Sequence, residues 1–229
     1  MRILGFILLG VVFAMFRPGK SAQQAAKPEA VRVEAGAGGL SVRQEANRVV
    51  MVWNGAVEPP MKQRFEEAFA KLGRDPKRVL ISWNSPGGRV DHGHEVFDVI
   101  QAAARVHYVD TTVGAGQICA SMCVPLYLSG MERTAHPNAR FMFHEVILKL
   151  KPEAERAVRQ LQTIAPGLVA GARKEAVNQF TDRLFEDGFE SKLDNRWLAN
   201  LRKRIRGRDV WLTGRQLVEE KSGVVDKLL

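Results

Sequence analysis

The chain has 229 residues, of which 45% are hydrophobic and 26% are charged, and this composition excludes a largely disordered protein. Its 34 Lys and Arg exceed its 25 Asp and Glu, so the formal net charge is +9. Such a basic excess suggests nucleic acid or an anionic membrane surface as a partner. No nucleic-acid-binding motif is recognisable, so nucleic acid is not a predicted partner. The basic residues concentrate in one stretch that is typical of a solvated or membrane-facing helix: Lys192, Arg196, Arg202, Lys203, Arg204, Arg206 and Arg208.

An apolar run at the amino terminus, residues 3–16, follows Arg2 and matches the basic and hydrophobic regions of a secretion signal. A spanning helix needs about 20 apolar residues, which is more than this run supplies. We therefore predict that residues 1–22 are a signal peptide or an uncleaved membrane anchor, with a buried amino-terminal helix as the third possibility. The protein is then expected to be exported to the periplasm or anchored to the inner membrane. Residues 23–46 lack a sustained period, which predicts a linker to a domain at residues 47–229.

Strands and helices alternate through the first half of the domain. The apolar run Val49–Trp53 predicts a buried strand, and apolar residues at helical spacing from Met61 to Leu72 predict the helix that follows. The run Val79–Trp83 predicts a second strand, and a Pro-Gly-Gly turn leads into a helix that ends near Val106.

The alternation continues with a predicted strand at Tyr108–Val113, a helix from about Ser121 to Leu128 and a strand at Arg140–His144. Residues 152–206 are predicted to be mostly helical, and two short apolar runs near the carboxy terminus close the domain. Because such alternation requires crossover connections, we predict an α/β fold with a mainly parallel sheet and helices packed on it.

The segment Asn84-Ser85-Pro86-Gly87-Gly88 directly follows a predicted strand. Its two glycines allow a sharp turn, and they let backbone N–H groups approach a ligand because no side chain blocks them. We select Gly88 as a donor to an oxyanion. A plain strand-to-helix turn explains this segment alone equally well.

A second segment places Ser121 after a strand and a glycine turn, at the start of a predicted helix. The helix dipole favours negative charge at that end. The N–H of Met122 has no intrahelical partner there, so it can point at an oxyanion beside Gly88. A serine at such a position is more often a helix cap, so Ser121 by itself does not decide between catalysis and capping.

Three segments, residues 84–88, 116–122 and 137–144, occur in the order and spacing of the proteolytic subunit of the Clp protease, which the chain resembles from about residue 49 to its end. The resemblance implies a ClpP/crotonase-like fold and hydrolysis of peptide bonds. It implies Ser121 as the nucleophile and His144, in the strand after a Pro-Asn turn, as its general base. The family's oxyanion donors correspond to Gly88 and Met122. The resemblance implies no metal and no organic cofactor.

The third member of a catalytic triad is an acid that orients the histidine. In the family that the chain resembles, this acid precedes a short carboxy-terminal element. Residues 208–213, followed by Gly-Val-Val-Asp at 223–226, fit that pattern, which implies Asp209. Asp194 and Asp182 are the alternatives, because a divergent helical region separates them from His144.

Cys119 and Cys123 are the only cysteines, and they bracket Ser121. On one helix their α-carbons would lie about 6 Å apart, within the range of a disulfide. Cytoplasmic Clp peptidases carry small residues at these positions, whereas the pair is similar to that of exported relatives with a cysteine on each side of the serine. The sequence therefore does not decide between a disulfide and two buried free thiols.

The other histidines are predicted to have no catalytic role. His92 and His94 lie two residues apart in a predicted helix, so they face different directions and make a poor metal pair. His107 and His136 lie in connecting segments and are predicted to be exposed to solvent.

Three functions compete at this point. The first is an ATP-independent serine peptidase that acts on a peptide or protein substrate outside the cytoplasm or at the membrane. The second is a crotonase-type acyl-CoA enzyme, which would use the same paired N–H groups on a thioester. The third is a catalytically inactive scaffold that binds a membrane partner through residues 152–206. The resemblance also implies a homo-oligomer, although Lys151-Pro152 stands where the family has a glycine-rich strand, so the number of subunits is open.

Overall fold

The computed structural model describes residues 39–145, 152–172 and 192–229. Its strands are β1 (Leu40–Gln44), β2 (Val49–Asn54), β3 (Arg78–Asn84), β4 (Tyr108–Val113), β5 (Ile118–Ala120), β6 (Arg133–Ala135), β7 (Arg140–Phe143), β8 (Val210–Thr213) and β9 (Lys227–Leu228). Its helices are α1 (Met61–Leu72), α2 (Val90–Ala104), α3 (Cys123–Leu128), α4 (Pro152–Ile164), α5 (Asn195–Arg204) and α6 (Gly214–Glu219).

The larger sheet has six strands in the order β1-β2-β3-β4-β6-β9. All of its neighbouring strands run parallel except β1 and β2, which are antiparallel. Helix α1 connects β2 to β3 and helix α2 connects β3 to β4, and the two helices pack against each other. The predicted α/β fold with a mainly parallel sheet and crossover helices is thereby confirmed.

Aromatic and aliphatic side chains fill the space between this sheet and its helices. The ring of Phe65, on α1, stacks on that of Trp83, on β3, with 5.7 Å between the centroids. Both side chains are fully buried, as are Ile81 on β3 and Ile100 on α2. Burying a side chain of this size stabilises the fold by about 1.5–3 kcal/mol. Apolar packing of this kind therefore holds the end of β3 in place, where the glycine turn begins.

A smaller sheet has three strands in the order β5-β7-β8. Strands β5 and β7 are parallel, and β7 and β8 are antiparallel. An isolated parallel backbone pairing between Ser85 and Cys119 joins this sheet to the segment that follows β3. Ser121 directly follows β5 and His144 directly follows β7, so the two predicted reactive residues stand at strand ends.

Strand β1 lies inside residues 23–46, which the sequence indicated as a linker. Its five residues pair with β2 along their whole length, so the folded domain begins before residue 47. Only Leu40 of β1 is fully buried, and Arg43 and Gln44 are exposed. The strand is thus too short and too polar to give a recognisable apolar run.

The structure corrects two further predictions, the solvent exposure of His107 and His136 and the start of helix α3. His107 is buried rather than exposed, because its ring stacks on Phe69 with 6.4 Å between the centroids. His136 is half-buried, and its Nδ1 accepts the N–H of Asn138. Helix α3 begins at Cys123, two residues later than predicted, because Ser121 has a φ of 53° that a right-handed helix does not accommodate.

The predicted helical region at residues 152–206 is helical at α4, at residues 166–172 and at α5. The predicted signal peptide or anchor at residues 1–22 lies outside the described residues. Within residues 39–145, 152–172 and 192–229, no helix has both the length and the apolar character needed to cross a membrane.

Candidate active site

The turn between β5 and α3 holds Ser121 in the left-handed region of backbone conformation, with φ 53°. This conformation costs a residue with a side chain roughly 1–2 kcal/mol. Two backbone hydrogen bonds fix the turn: the N–H of Ser121 donates to the carbonyl of Met142 at 2.9 Å, and its carbonyl accepts the N–H of Val124 at 2.9 Å. The serine hydroxyl therefore projects from a backbone that is held on both sides.

His144 lies within hydrogen-bonding distance of this hydroxyl. Its Nε2 is 2.7 Å from Oγ of Ser121, and both side chains are half-buried. The ladder between β5 and β7, in which Ala120 pairs with Met142, brings the two residues to the same end of the small sheet. A serine in contact with an imidazole that can accept its proton is the arrangement of an activated nucleophile.

The glycine turn after β3 leaves one N–H free beside the serine. The N–H of Gly87 donates to Oγ of Ser85 at 3.1 Å, and the N–H of Arg89 donates to the carbonyl of Val57 at 2.8 Å. Between them, the N–H of Gly88 has no hydrogen-bond partner among the described residues. Gly88 as a whole is exposed.

A second free donor is the N–H of Met122, which also lacks a partner in the part of the chain that the structure describes. The glycine turn packs directly on this residue. A Cβ added to Gly87 would lie 3.1 Å from the nitrogen of Met122 and 2.7 Å from Cβ of Ser121. Two unpaired backbone donors therefore occur in segments that touch next to the hydroxyl, which is the arrangement of an oxyanion hole.

The family model for Clp protease matches residues 46–179, which is more than half of the chain. The chain belongs to the Clp protease family. Members of this family are peptidases, act on peptides or proteins, and usually oligomerise. The matched residues include both Ser121 and His144 and end before Asp209. A search of curated proteins finds no match to the chain.

Asp209, the acid implied for this Clp-family chain, precedes β8 and is exposed. Phe143 pairs with Val210 in the antiparallel ladder, so the next position along that register sets Asp209 opposite His144. No described acid makes a hydrogen bond or an ion pair to His144, Asp209 included. Of the alternatives, Asp194 caps α5 by accepting the N–H of Trp197 at 2.8 Å, and Asp182 lies outside the described residues.

Cys119 and Cys123 are joined in a disulfide, with 5.2 Å between their α-carbons. Both residues are fully buried. The bridge spans Ser121 and Met122, so a covalent link encloses the segment that carries the hydroxyl and one free N–H.

Three residues that sequence reasoning did not select hold the site together. Oδ1 of Asn84 accepts the N–H of Ile118 at 3.2 Å, which fastens β5 to the end of β3. Ser85 supports the glycine turn through the hydrogen bond to Gly87, and Val57 holds the same turn from the α1 side. The two polar residues could have been found from their place at the end of an apolar strand, whereas nothing in the sequence distinguishes Val57.

An exposed ion pair lies directly after the glycine turn. Hydrogen bonds from the Arg89 guanidinium lower the pKa of Asp91 to about 2, so this carboxylate stays ionised and cannot act as a general acid near neutral pH.

Within the described residues, no group of three or more His, Cys, Asp or Glu side chains is placed to hold a metal ion.

Proposed function

We propose that the protein is a serine peptidase in which Ser121 is the nucleophile and His144 is the general base. Oγ of Ser121 attacks the substrate carbonyl carbon while Nε2 of His144 takes the hydroxyl proton. The C–N bond then breaks, the amine leaves with that proton, and an ester joins Ser121 to the acyl group. Water activated by His144 hydrolyses this ester and regenerates the serine. The observation that carries the proposal is the 2.7 Å contact between Oγ and Nε2.

The N–H groups of Gly88 and Met122 are the donors that we propose for the oxyanion of the tetrahedral intermediate. Their lack of other partners in the described chain supports this role, since a donor already engaged would have to break a bond first. Asp209 is the acid that we propose to orient His144. The β7–β8 register supports it, because residues opposite each other in an antiparallel pair have Cβ atoms about 4.5–5.5 Å apart.

A fluorophosphonate probe, which phosphonylates activated serines, tests the nucleophile and the base. We expect the wild-type chain to label and to cleave a casein-derived fluorogenic peptide mixture, and we expect Ser121→Ala and His144→Ala to do neither. Ser41→Ala and His136→Ala are the matched controls, because both replace residues of the same type outside the site. Labelling that persists in Ser121→Ala would exclude this serine as the nucleophile.

We also propose that the peptidase acts outside the cytoplasm. The disulfide supports this location, because disulfides persist in oxidising compartments and are rare in the cytosol. The basic and apolar amino-terminal run is consistent with export. Cell fractionation together with alkylation of free thiols tests the proposal. A chain recovered in the cytosolic fraction with both thiols free would contradict it.

We propose, finally, that the protein is a homo-oligomer that uses the apolar side of α4 and the residues after it. Leu161, Ile164 and Leu168 recur at helical spacing and are 50%, 80% and 74% exposed. A second copy is the proposed occupant because Clp proteases usually oligomerise. Light scattering should give a multiple of the subunit mass that falls to one subunit in Ile164→Asp and not in Gln162→Asp. A wild-type monomer at micromolar concentration would refute this.

A further inference from the structure

The disulfide joins strand β5 to the start of helix α3. Cys119 is the middle residue of β5, and Cys123 is the first residue of α3. The closed loop contains Ala120, Ser121 and Met122. It thus encloses the proposed nucleophile and one of the two proposed oxyanion donors.

Strand β5 is fixed from both sides. On one side, Cys119 pairs with Phe141 of β7, the strand that leads to the histidine. On the other side, the N–H of Ala120 donates to the carbonyl of Ser85 at 3.0 Å, and the N–H of Ser85 donates to the carbonyl of Ile118 at 2.8 Å. The Cys119 end of the bridge is therefore anchored to the segments that carry the general base and the other oxyanion donor.

Helix α3 is buried along its whole length, but no side chain caps its amino terminus. The hydrogen bond from the N–H of Val124 to the carbonyl of Ser121 closes the turn before it. Ser121 itself is in an unfavourable left-handed conformation, which it tends to leave unless its surroundings hold it. The covalent link from Cys123 to β5 is such a restraint, and it acts on the loop that must keep this conformation.

We propose that the Cys119–Cys123 disulfide is a positioning element of the active site, which fixes the hydroxyl of Ser121 and the N–H of Met122 relative to His144 and Gly88. This inference rests on the proposed peptidase function. It predicts that the oxidised protein is the active form. Reduction by a dithiol converts the bridge to two thiols and the reagent to its cyclic disulfide, and it leaves two small buried side chains that the core accommodates.

Loss of the bridge should reduce turnover more than it reduces substrate binding. Removing one oxyanion donor costs about 100 to 1000-fold in kcat, and a misplacement of about 1 Å near the reacting atoms costs about 100-fold. We expect a fall of about 100-fold in kcat with KM changed less than about threefold. Because the closed loop is short, the bridge restricts the unfolded chain less than a long-range bridge would, so the fold should survive its loss.

The test compares the full-length wild type, oxidised and reduced, with the double variant Cys119→Ala/Cys123→Ala. Peptide hydrolysis, the rate of fluorophosphonate labelling and circular dichroism are measured on each. We expect the double variant and the reduced wild type to label about 100-fold more slowly than the oxidised wild type, with unchanged circular dichroism. Dithiothreitol should have no effect on the double variant. If that variant does not fold, the wild type taken through reduction and reoxidation should lose and regain labelling without a change in its spectrum.

Equal labelling rates in the oxidised wild type and the folded double variant would overturn the inference and leave the proposed function intact. If the reduced wild type instead lost its spectrum together with its activity, the bridge would be a stability element and the inference would again be overturned. Failure of the proposed function has a different signature, because the oxidised wild type would then label no faster than Ser121→Ala.

Discussion

The substitution Gly87→Ala tests how tightly the glycine turn packs on Ser121, the proposed nucleophile. A Cβ at this position would lie 2.5 Å from the carbonyl oxygen of Ala120 and 2.7 Å from Cβ of Ser121. An ordinary contact needs about 3.5 Å, so the turn must retreat from the serine by about 1 Å. Both nearest atoms belong to backbone or to a short side chain, so neither can swing aside.

A displacement of about 1 Å at a reacting centre costs about 100-fold in rate, so we expect kcat of Gly87→Ala to fall by about that factor. The alanine also has to adopt a φ of 86°, which costs about 1–2 kcal/mol. For a chain of this size that free energy corresponds to a fall in Tm of about 2–8 °C. The two effects must be separated to interpret the result.

Gly116→Ala separates them. Gly116 has a φ of 70°, and a Cβ added there would meet no atom within 4 Å. This variant therefore has a similar free-energy cost from positive φ, but its Cβ does not clash with Ser121. We expect peptide-hydrolysis assays and thermal denaturation to show a lower Tm in both variants and a lower kcat in Gly87→Ala alone. A kcat for Gly87→Ala within about threefold of wild type would refute the packing argument, as would an equal loss in Gly116→Ala.

Three other substitutions test separate parts of the structure. Asp209→Asn should lower kcat by about tenfold. Loss of a buried triad acid would lower kcat further, but water screens the charge of an exposed carboxylate. A loss as large as that of His144→Ala, or no loss at all, would contradict this prediction. Asn84→Ala should destabilise the fold by about 1–2 kcal/mol in urea denaturation, because the N–H of Ile118 loses its acceptor, and Asn84→Asp, which keeps an acceptor, should lie closer to wild type. Arg133→Met should cost about 2–4 kcal/mol in the same assay, because it removes the partner of Asp226 and the donor to the carbonyl of Val224; a loss below about 1 kcal/mol would show that this buried cation is dispensable.

Strands β2 and β3 could be predicted because each contains a nearly continuous apolar run that is mostly buried. The predicted strand at Tyr108–Val113 has the bounds that the structure gives, and the helix predicted from Met61 to Leu72 agrees likewise. The short strands β5 and β6, of three residues each, were missed because such runs carry no periodic signal. Their positions depend on pairing with distant parts of the chain, which a local pattern does not contain.

The candidate site was predictable to the extent that its residues are neighbours in sequence or follow strand ends. Gly88 lies in the glycine turn that follows the predicted strand Val79–Trp83, and Ser121 follows the glycine turn after the predicted strand Tyr108–Val113. His144 ends the predicted strand Arg140–His144, so the types and spacing of these residues could be recognised. The position of Asp209 opposite His144 could not be deduced from local patterns. Asp209 is more than sixty residues away in sequence, and only the β7–β8 register brings it opposite the histidine.

The conformation of Ser121 excludes the role of a helix cap, one of the two roles that its sequence context allowed. A serine that caps a helix has extended backbone, and its hydroxyl accepts an N–H from the first turn. Here the N–H of Val124 goes to the main-chain carbonyl of Ser121, and no side chain caps α3. The left-handed φ turns the carbonyl towards the helix and leaves Oγ free for Nε2 of His144. The left-handed φ of Ser121 costs about 1–2 kcal/mol, but it leaves the hydroxyl uninvolved in capping. Such a conformation persists only when its surroundings hold it, and here strand β5, the disulfide and the glycine turn all contact or adjoin Ser121.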